Sequence, residues 1–317
     1  MTNLTRFMKE NNLKDLISVK GKALYEWAND LTGGVLGIVV HTVEGFIRTR
    51  AVEAAASIAY YVLFSLFPLL IFLVVIGSSL FESAQIQRQV ADFVKEIFPG
   101  TEELVLQNID QVLRLRSTVT IFGSIGLLWA ATGGFTVLAR HINRAWHGSA
   151  PRSFLQSRLI ALVMVGVLLG LLIPSLLFST AASLLAQFSV PLLGGIDVYN
   201  TFGWAVLTRL IPWLLIFLMF QSLYRWVPRT EVKWSEAFWG ALFAATAWEV
   251  SKSVFGWYLS SGLVKYQLVY GSLGAVVALM LWIYLSSMIT LLGAHLSAAI
   301  TFHNRLKKKR RRRRQTA

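Results

Sequence analysis

Residues 272–300 read SLGAVVALMLWIYLSSMITLLGAHLSAAI, a stretch of 29 residues that contains no Asp, Glu, Lys or Arg. As an α-helix this stretch would be about 43 Å long, which exceeds the roughly 30 Å hydrocarbon core of a bilayer. An uncharged apolar run of this length predicts a transmembrane helix that is tilted or that projects beyond the bilayer.

Five more apolar blocks precede this one, and the composition of the whole chain fits them. Hydrophobic residues make up 55% of the 317 positions, charged residues make up 15%, and the mean hydropathy is +0.58. Soluble domains are about one quarter charged, so the sequence predicts an all-α integral membrane protein. The six predicted spans are Ser57–Leu80, Thr118–Ala139, Leu159–Gln187, Phe202–Leu223, Ala237–Ser260 and Ser272–Ile300.

The distribution of Lys and Arg predicts the orientation of these spans. Of the 30 basic residues, 23 lie in the N-terminal segment, the second and fourth connections, and the C-terminal segment, whereas 5 lie in the other three connections. Cytoplasmic loops carry the excess of positive charge. Both termini are therefore predicted to be cytoplasmic, with residues 1–34 as a polar cytoplasmic segment.

Three elements outside the spans have recognisable patterns. Apolar residues at helical spacing within Leu36–Ile47 predict an amphipathic helix lying along the membrane surface. In the external loop Phe81–Ser117, two apolar stripes separated by Pro99 and Gly100 predict a helical hairpin. Residues 303–317 are predicted to form a disordered cytoplasmic tail whose basic run binds anionic lipid. A nucleic-acid-binding arm is the disfavoured alternative, because no folded or aromatic module accompanies the run.

Three ionisable residues within the predicted spans are candidates for function, because charge inside a bilayer is costly. Glu249 and Lys252 are three residues apart on one span, and Arg209 lies at a similar depth in the preceding span. The three side chains could form an ion-paired clamp between the two helices, or a polar site that lines a cavity. Pro68, Pro174 and Pro212 are candidate helix breaks that would expose backbone polar groups.

The sequence contains none of the usual signals for catalysis. The chain has no cysteine, its five histidines have no paired spacing, and it contains no phosphate-binding, dinucleotide-binding or nucleophile-elbow motif. We therefore expect no enzymatic activity, no metal and no cofactor. The expected partners are membrane lipids and an unidentified solute.

Several motifs taken together resemble one known family. They are AASIAYY at 55–61 leading into SLFPL at 65–69, WAATGGF at 129–135, INRAW at 142–146, EVSK at 249–252, and YGSLG at 270–274 through WIY at 282–284 to LGAH at 292–295. Their order and spacing resemble the YihY/BrkB family of bacterial inner-membrane proteins over residues 35–302. The resemblance implies six spans with both ends inside. Where that family tends to have Gly-Ala-Glu, this chain has Gly293, Ala294 and His295.

Three functions follow from the motifs and the resemblance. The preferred hypothesis is a transporter or exporter of a small or amphiphilic solute in the bacterial inner membrane, with Arg209, Glu249 and Lys252 as its polar site. A second is an envelope-maintenance scaffold that transports nothing. The third is a ribonuclease, an older label of the family that is regarded as mistaken and that no catalytic or metal constellation supports.

The orientation can be tested with reporters fused at four points of the chain. We expect cytoplasmic signals from fusions after Ala317 and within the loop at 147–158, and external signals from fusions near Thr101 and Ile196, because the positive charge alternates in this way. Paired phosphatase and fluorescent-protein fusions measure the side directly. An external signal from the loop at 147–158 would contradict the six-span topology.

Overall fold

The computed structural model describes residues 29, 31–80, 121–146, 153–167, 170–171, 202–261 and 273–315. Within these ranges the chain forms seven helices and no strand. The helices are α1 Val35–Arg48, α2 Ala51–Leu80, α3 Ile121–Ala145, α4 Phe154–Val167, α5 Phe202–Trp226, α6 Trp234–Ser260 and α7 Gly274–Gln315. The all-helical fold class is confirmed.

The predicted spans coincide with helices wherever the structure describes them. Span one lies entirely within α2, span four within α5 and span five within α6. Most of span two lies within α3, and most of span six lies within α7. Among the described helices, Ile125–Ala145 and Gly274–Lys307 are long and apolar enough to cross a membrane by length and composition alone. The external hairpin, Pro174 and the rest of span three after residue 171 lie outside the described residues.

Helix α7 is the central element, since it contacts α1, α2, α3, α5 and α6. It approaches α6 most closely where two glycines meet. A Cβ added to Gly240 would lie 2.6 Å from the carbonyl oxygen of Gly293 and 2.8 Å from Ser297 Cβ. The surrounding positions of α6, among them Ala237, Ala241 and Ala244, are fully buried. Small residues allow the two backbones to pack directly against each other, as is common for helices in membranes.

A similar close approach joins α2 to α3. A Cβ on Gly134 would lie 2.6 Å from Ser65 Oγ and 3.0 Å from the Cα of Val62, so this glycine packs against the backbone of α2. Thr132 is also buried in the same contact region. The Thr-Gly-Gly sequence at 132–134 therefore serves helix packing.

Helix α1 packs against the C-terminal half of α7 through small and polar residues. His41 stacks on Phe302 with 5.5 Å between ring centroids, and Gly45 lies against His295. Phe46 packs inward against His295, whereas four other apolar side chains each leave about half or more of their surface exposed. They are Val35, Val39, Val43 and Ile47. The structure thus has a helix where the sequence predicted one, and an exposed apolar stripe is what a helix at the membrane interface requires.

The basic tail differs from the sequence expectation. Instead of being disordered after residue 302, the chain continues α7 as a helix to Gln315, so that α7 contains 42 residues. Lys and Arg are good helix formers, and cations at a helix C-terminus interact favourably with its dipole. Composition indicates a solvated segment, but it does not exclude one that extends an existing helix.

The glycine contact between α6 and α7 gives a stability prediction. Gly240→Ala places a methyl group against the backbone of Gly293, so the helices must separate, and we expect the free energy of unfolding to fall by about 1–3 kcal/mol. Thermal unfolding in one detergent measures the change. Gly256→Ala on the same helix is the matched control, because nothing lies within 4 Å of its Cβ. Equal unfolding temperatures for Gly240→Ala and wild type would contradict the packing role.

Candidate functional site

Glu249 and Lys252 form an ion pair on α6. Lys252 Nζ lies 3.0 Å from Glu249 Oε1, and the ammonium group is 5.3 Å from the centre of the Trp248 ring. The two residues are three apart, which places their side chains on one side of the helix. Since both partners belong to the same helix, this pair does not by itself join α6 to a neighbour.

The second carboxylate oxygen of Glu249 is the unusual feature of the pair. Oε2 is buried and has no hydrogen-bond partner within the described part of the chain. A buried polar atom without a partner is costly, so such atoms in native proteins call for an explanation. Glu249 therefore has the capacity to accept one more hydrogen bond, from a side chain, a water molecule or a ligand.

Trp248 closes one side of the pair. Its Nε1 donates a hydrogen bond of 3.2 Å to Ser286 Oγ on α7, and its ring lies 5.6 Å from that of Trp282. Phe255 also stacks on Trp282, with 5.1 Å between the ring centroids. The ion pair thus lies beside an aromatic wall that joins α6 to α7 and excludes water from that direction.

Helices α5 and α6 are antiparallel neighbours. The rings of Phe217 and Phe238 are 5.3 Å apart, and Gln221 Nε2 donates to the carbonyl oxygen of Trp234 at 3.1 Å. If the two helices keep this register along their length, the backbone of Arg209 on α5 is level with about residue 246 of α6. That position is roughly one helical turn from Glu249. The side chain of Arg209 lies outside the described part of the structure, so its place in the cluster stays a prediction.

The candidate helix breaks fall inside helices where they are described. Helix α2 continues through Pro68 and α5 continues through Pro212, so neither proline ends its helix. A proline removes one backbone hydrogen bond, and the bonds of the flanking turns maintain the helix. Pro174 lies outside the described residues.

His295 occupies the position where the resembled family tends to have glutamate. It is 3% exposed, its Nε2 is 3.0 Å from Thr49 Oγ1, and its ring contacts Phe46 edge-on. A Cβ on Gly45 would lie 3.0 Å from His295 Nδ1. The histidine therefore connects α7 to α1 and to the turn before α2, and no single-helix pattern could have predicted this contact.

The ends of the helices that are predicted to be cytoplasmic are joined by polar contacts. Glu236 is buried at the start of α6, where it accepts hydrogen bonds from Asn304 Nδ2 at 3.2 Å and from the backbone N–H of Lys233 at 3.2 Å. Separately, the backbone N–H of Arg229 donates to Asn143 Oδ1 at 2.8 Å. These contacts connect α3, α6, α7 and the loop between α5 and α6.

Sequence reasoning missed Arg158, which was counted as the last residue of a cytoplasmic loop. Helix α4 begins at Phe154 rather than at the predicted start of span three, Leu159, so Arg158 is one turn inside a helix. Its Nη1 donates to the carbonyl oxygen of Trp129, which is near the middle of span two. The apolar Phe154 and Leu155 that precede Arg158 were the available signal that the helix begins earlier.

Among the residues that the structure describes, no group of three or more His, Asp or Glu side chains is arranged to hold a metal ion.

Comparisons with known proteins match most of the chain. The family described as "Virulence factor BrkB" matches residues 42–316. A Bacillus subtilis protein named "Putative ribonuclease-like protein YfkH" is 28% identical over 255 residues, which cover 80% of this chain and 90% of the relative. A "UPF0761 membrane protein" of Aeromonas salmonicida is 31% identical over 258 residues, which cover 80% of this chain and 86% of the relative.

Another "UPF0761 membrane protein", from Azotobacter vinelandii, is 29% identical over 269 residues. The aligned region covers 84% of this chain but 63% of that relative, which is a longer protein. No solved structure matches the chain.

Proposed function

We propose a function for this chain from one premise: it belongs to the Virulence factor BrkB family of membrane proteins. The chain is a six-span protein of the bacterial inner membrane with both termini in the cytoplasm, and it moves a small or amphiphilic solute across or out of the bilayer. The polar site for that solute is formed by Glu249, Lys252 and Arg209. The protein is not an enzyme, and its other partners are membrane lipids, with anionic lipid at the basic end of α7.

The contacts between helix ends support the six-span topology. Charge counting assigns the end of α3, the loop between α5 and α6, and the end of α7 to the cytoplasmic side. In the structure these three regions meet: Asn143 binds the backbone of Arg229, and Arg305 Nη2 donates to the carbonyl oxygen of Glu231 at 2.9 Å. Regions on opposite sides of a bilayer could not make such contacts.

The transport site rests on the unpartnered Oε2 of Glu249. This oxygen lies in a predicted span, beside a cation, and has no hydrogen-bond donor among the described residues. Intramembrane ionisable groups usually face a cavity or a pathway for ions or substrates. If Arg209 joins the pair, the cluster carries one net positive charge, which favours an anionic or zwitterionic solute.

The scaffold function is less well supported, for a geometric reason. A clamp must join two helices, whereas the ion pair that the structure describes is internal to α6. The bundle has other connections between helices, including the hydrogen bond from the buried Tyr224 hydroxyl to the carbonyl oxygen of Thr290 at 2.8 Å. Among the described residues, no metal-binding group matches the ribonuclease-like name of the Bacillus relative.

Replacing Glu249 separates the two functions. Glu249→Gln removes the carboxylate charge beside Lys252. At a hydrated solute site we expect loss of activity with almost unchanged thermal unfolding. At a clamp we expect a large loss of stability, since breaking a buried pair costs roughly 3–5 kcal/mol. The measurements are unfolding in one detergent and growth of cells that lack the native protein and carry the variant.

Glu231→Gln is the control, because it removes the same charge from an exposed loop position. It should leave both growth and unfolding as in wild type. If Glu249→Gln unfolds at a much lower temperature, and if a second change of Arg209→Met restores both stability and growth, the cluster is structural. That result would contradict the transport site.

A further inference from the structure

Arg158 lies in an unusual setting between α3 and α4. Its Nη1 donates to the carbonyl oxygen of Trp129 at 2.9 Å and to Thr132 Oγ1 at 2.6 Å. The guanidinium carbon is 4.6 Å from the centre of the Trp129 ring and 5.5 Å from that of Phe154. The cation is thus held in place by two neutral acceptors and two aromatic rings.

The positive charge of Arg158 is not balanced by this setting. No carboxylate among the described residues is within ion-pair distance of it, and its Nε is buried without a hydrogen-bond partner in the same part of the chain. Lys252, by contrast, has the carboxylate of Glu249 beside it. A partly desolvated guanidinium presents donors in a planar fork that matches phosphate and carboxylate oxygens. The geometry therefore favours an anion as the missing partner.

The surface around Arg158 is apolar and exposed. Phe154, Leu155, Leu159 and Trp129 each leave about half or more of their surface uncovered, and Leu155 is 75% exposed. Trp129 lies within the second predicted span and Phe154 begins α4, so lipid can contact this apolar surface. A free anion gains nothing from the apolar surface, whereas the headgroup of an amphiphile can bind the guanidinium while its hydrocarbon chains lie against that surface.

We propose that Arg158 binds the net-anionic phosphate headgroup of an amphiphile that enters from the lipid side between α3 and α4. The phosphate oxygens accept hydrogen bonds from Nη2, the guanidinium nitrogen that does not bind Trp129 or Thr132 and is not among the buried atoms. The rings of Trp129 and Phe154 hold the guanidinium plane in one orientation, which prepares the fork for its ligand. The positive end of α4 lies one turn away and adds to the attraction. This site does not depend on the proposed transport function, since it uses other helices.

The test is a binding titration on the full-length protein purified in a neutral detergent. The probes are dihexanoyl phosphatidic acid, zwitterionic dihexanoyl phosphatidylcholine and inorganic phosphate. We expect phosphatidic acid to bind wild type about 10- to 100-fold more tightly than it binds Arg158→Gln, which is the range for charge-assisted hydrogen bonds. Inorganic phosphate should bind both proteins weakly and equally.

Arg144→Gln is the matched control, because Arg144 is an exposed arginine in the last turn of α3 and its loss changes the net charge equally. It should bind phosphatidic acid as wild type does. The proposal is overturned if Arg158→Gln retains full affinity, if Arg144→Gln loses as much affinity as Arg158→Gln does, or if inorganic phosphate or phosphatidylcholine binds as tightly as phosphatidic acid.

A variant that keeps the charge covers the case in which Arg158→Gln does not fold. Arg158→Lys retains a cation but loses the planar fork and the stacking on Trp129. We expect it to bind phosphatidic acid severalfold more weakly than wild type. Unchanged affinity would show that a point charge is sufficient and would contradict the site described here.

Discussion

The absence of a side chain at Gly293 is the constraint on which the packing of the bundle depends. A Cβ at this position would lie 2.5 Å from the Tyr224 hydroxyl, 2.9 Å from Ala244 Cβ and 3.0 Å from the carbonyl oxygen of Gly240. Three helices, α5, α6 and α7, therefore meet at one glycine. The same close approach brings the Tyr224 hydroxyl to the carbonyl oxygen of Thr290, which adds a buried hydrogen bond between α5 and α7. Two residues further along α7, His295 contacts Thr49 and Phe46, so α1 depends on the same segment.

In a bilayer, burial of apolar surface does not drive helices together, because lipid is as apolar as the protein interior. Association then depends on close packing and on hydrogen bonds between helices. This protein uses close packing at the Gly240–Gly293 and Gly134–Ser65 contacts, and hydrogen bonds at one end of the bundle, where Glu236 binds Asn304. Several apolar side chains of α1 and α4, such as Val39 and Leu155, are left exposed on the outside of the bundle.

Two of the cations that lie within or close to the predicted spans, Lys252 and Arg158, are accommodated in different ways. Lys252 has a carboxylate one turn away on its own helix, and the remaining capacity of that site is the unpartnered oxygen of Glu249. Among the described residues, Arg158 contacts neutral acceptors and aromatic faces, and its remaining capacity is its own donors. The site at Glu249 can thus bind a hydrogen-bond donor, and the site at Arg158 can bind an acceptor. At each site the distinguishing feature is a buried polar atom that has no partner among the described residues.

By itself, the sequence determined the helical class, the approximate positions of most of the described helices, and the spacing that places Glu249 and Lys252 on one side of α6. Each of these depends on composition, on the period of 3.6 residues or on residues of one helix, and such properties are local. Only the tertiary structure decided that Arg158 contacts Trp129, that His295 joins α7 to α1, and that Oε2 of Glu249 has no partner among the described residues. The spacing of residues along one helix shows which side chains share a face, but the groups opposite that face belong to other helices, and their register follows from packing contacts such as the one at Gly293.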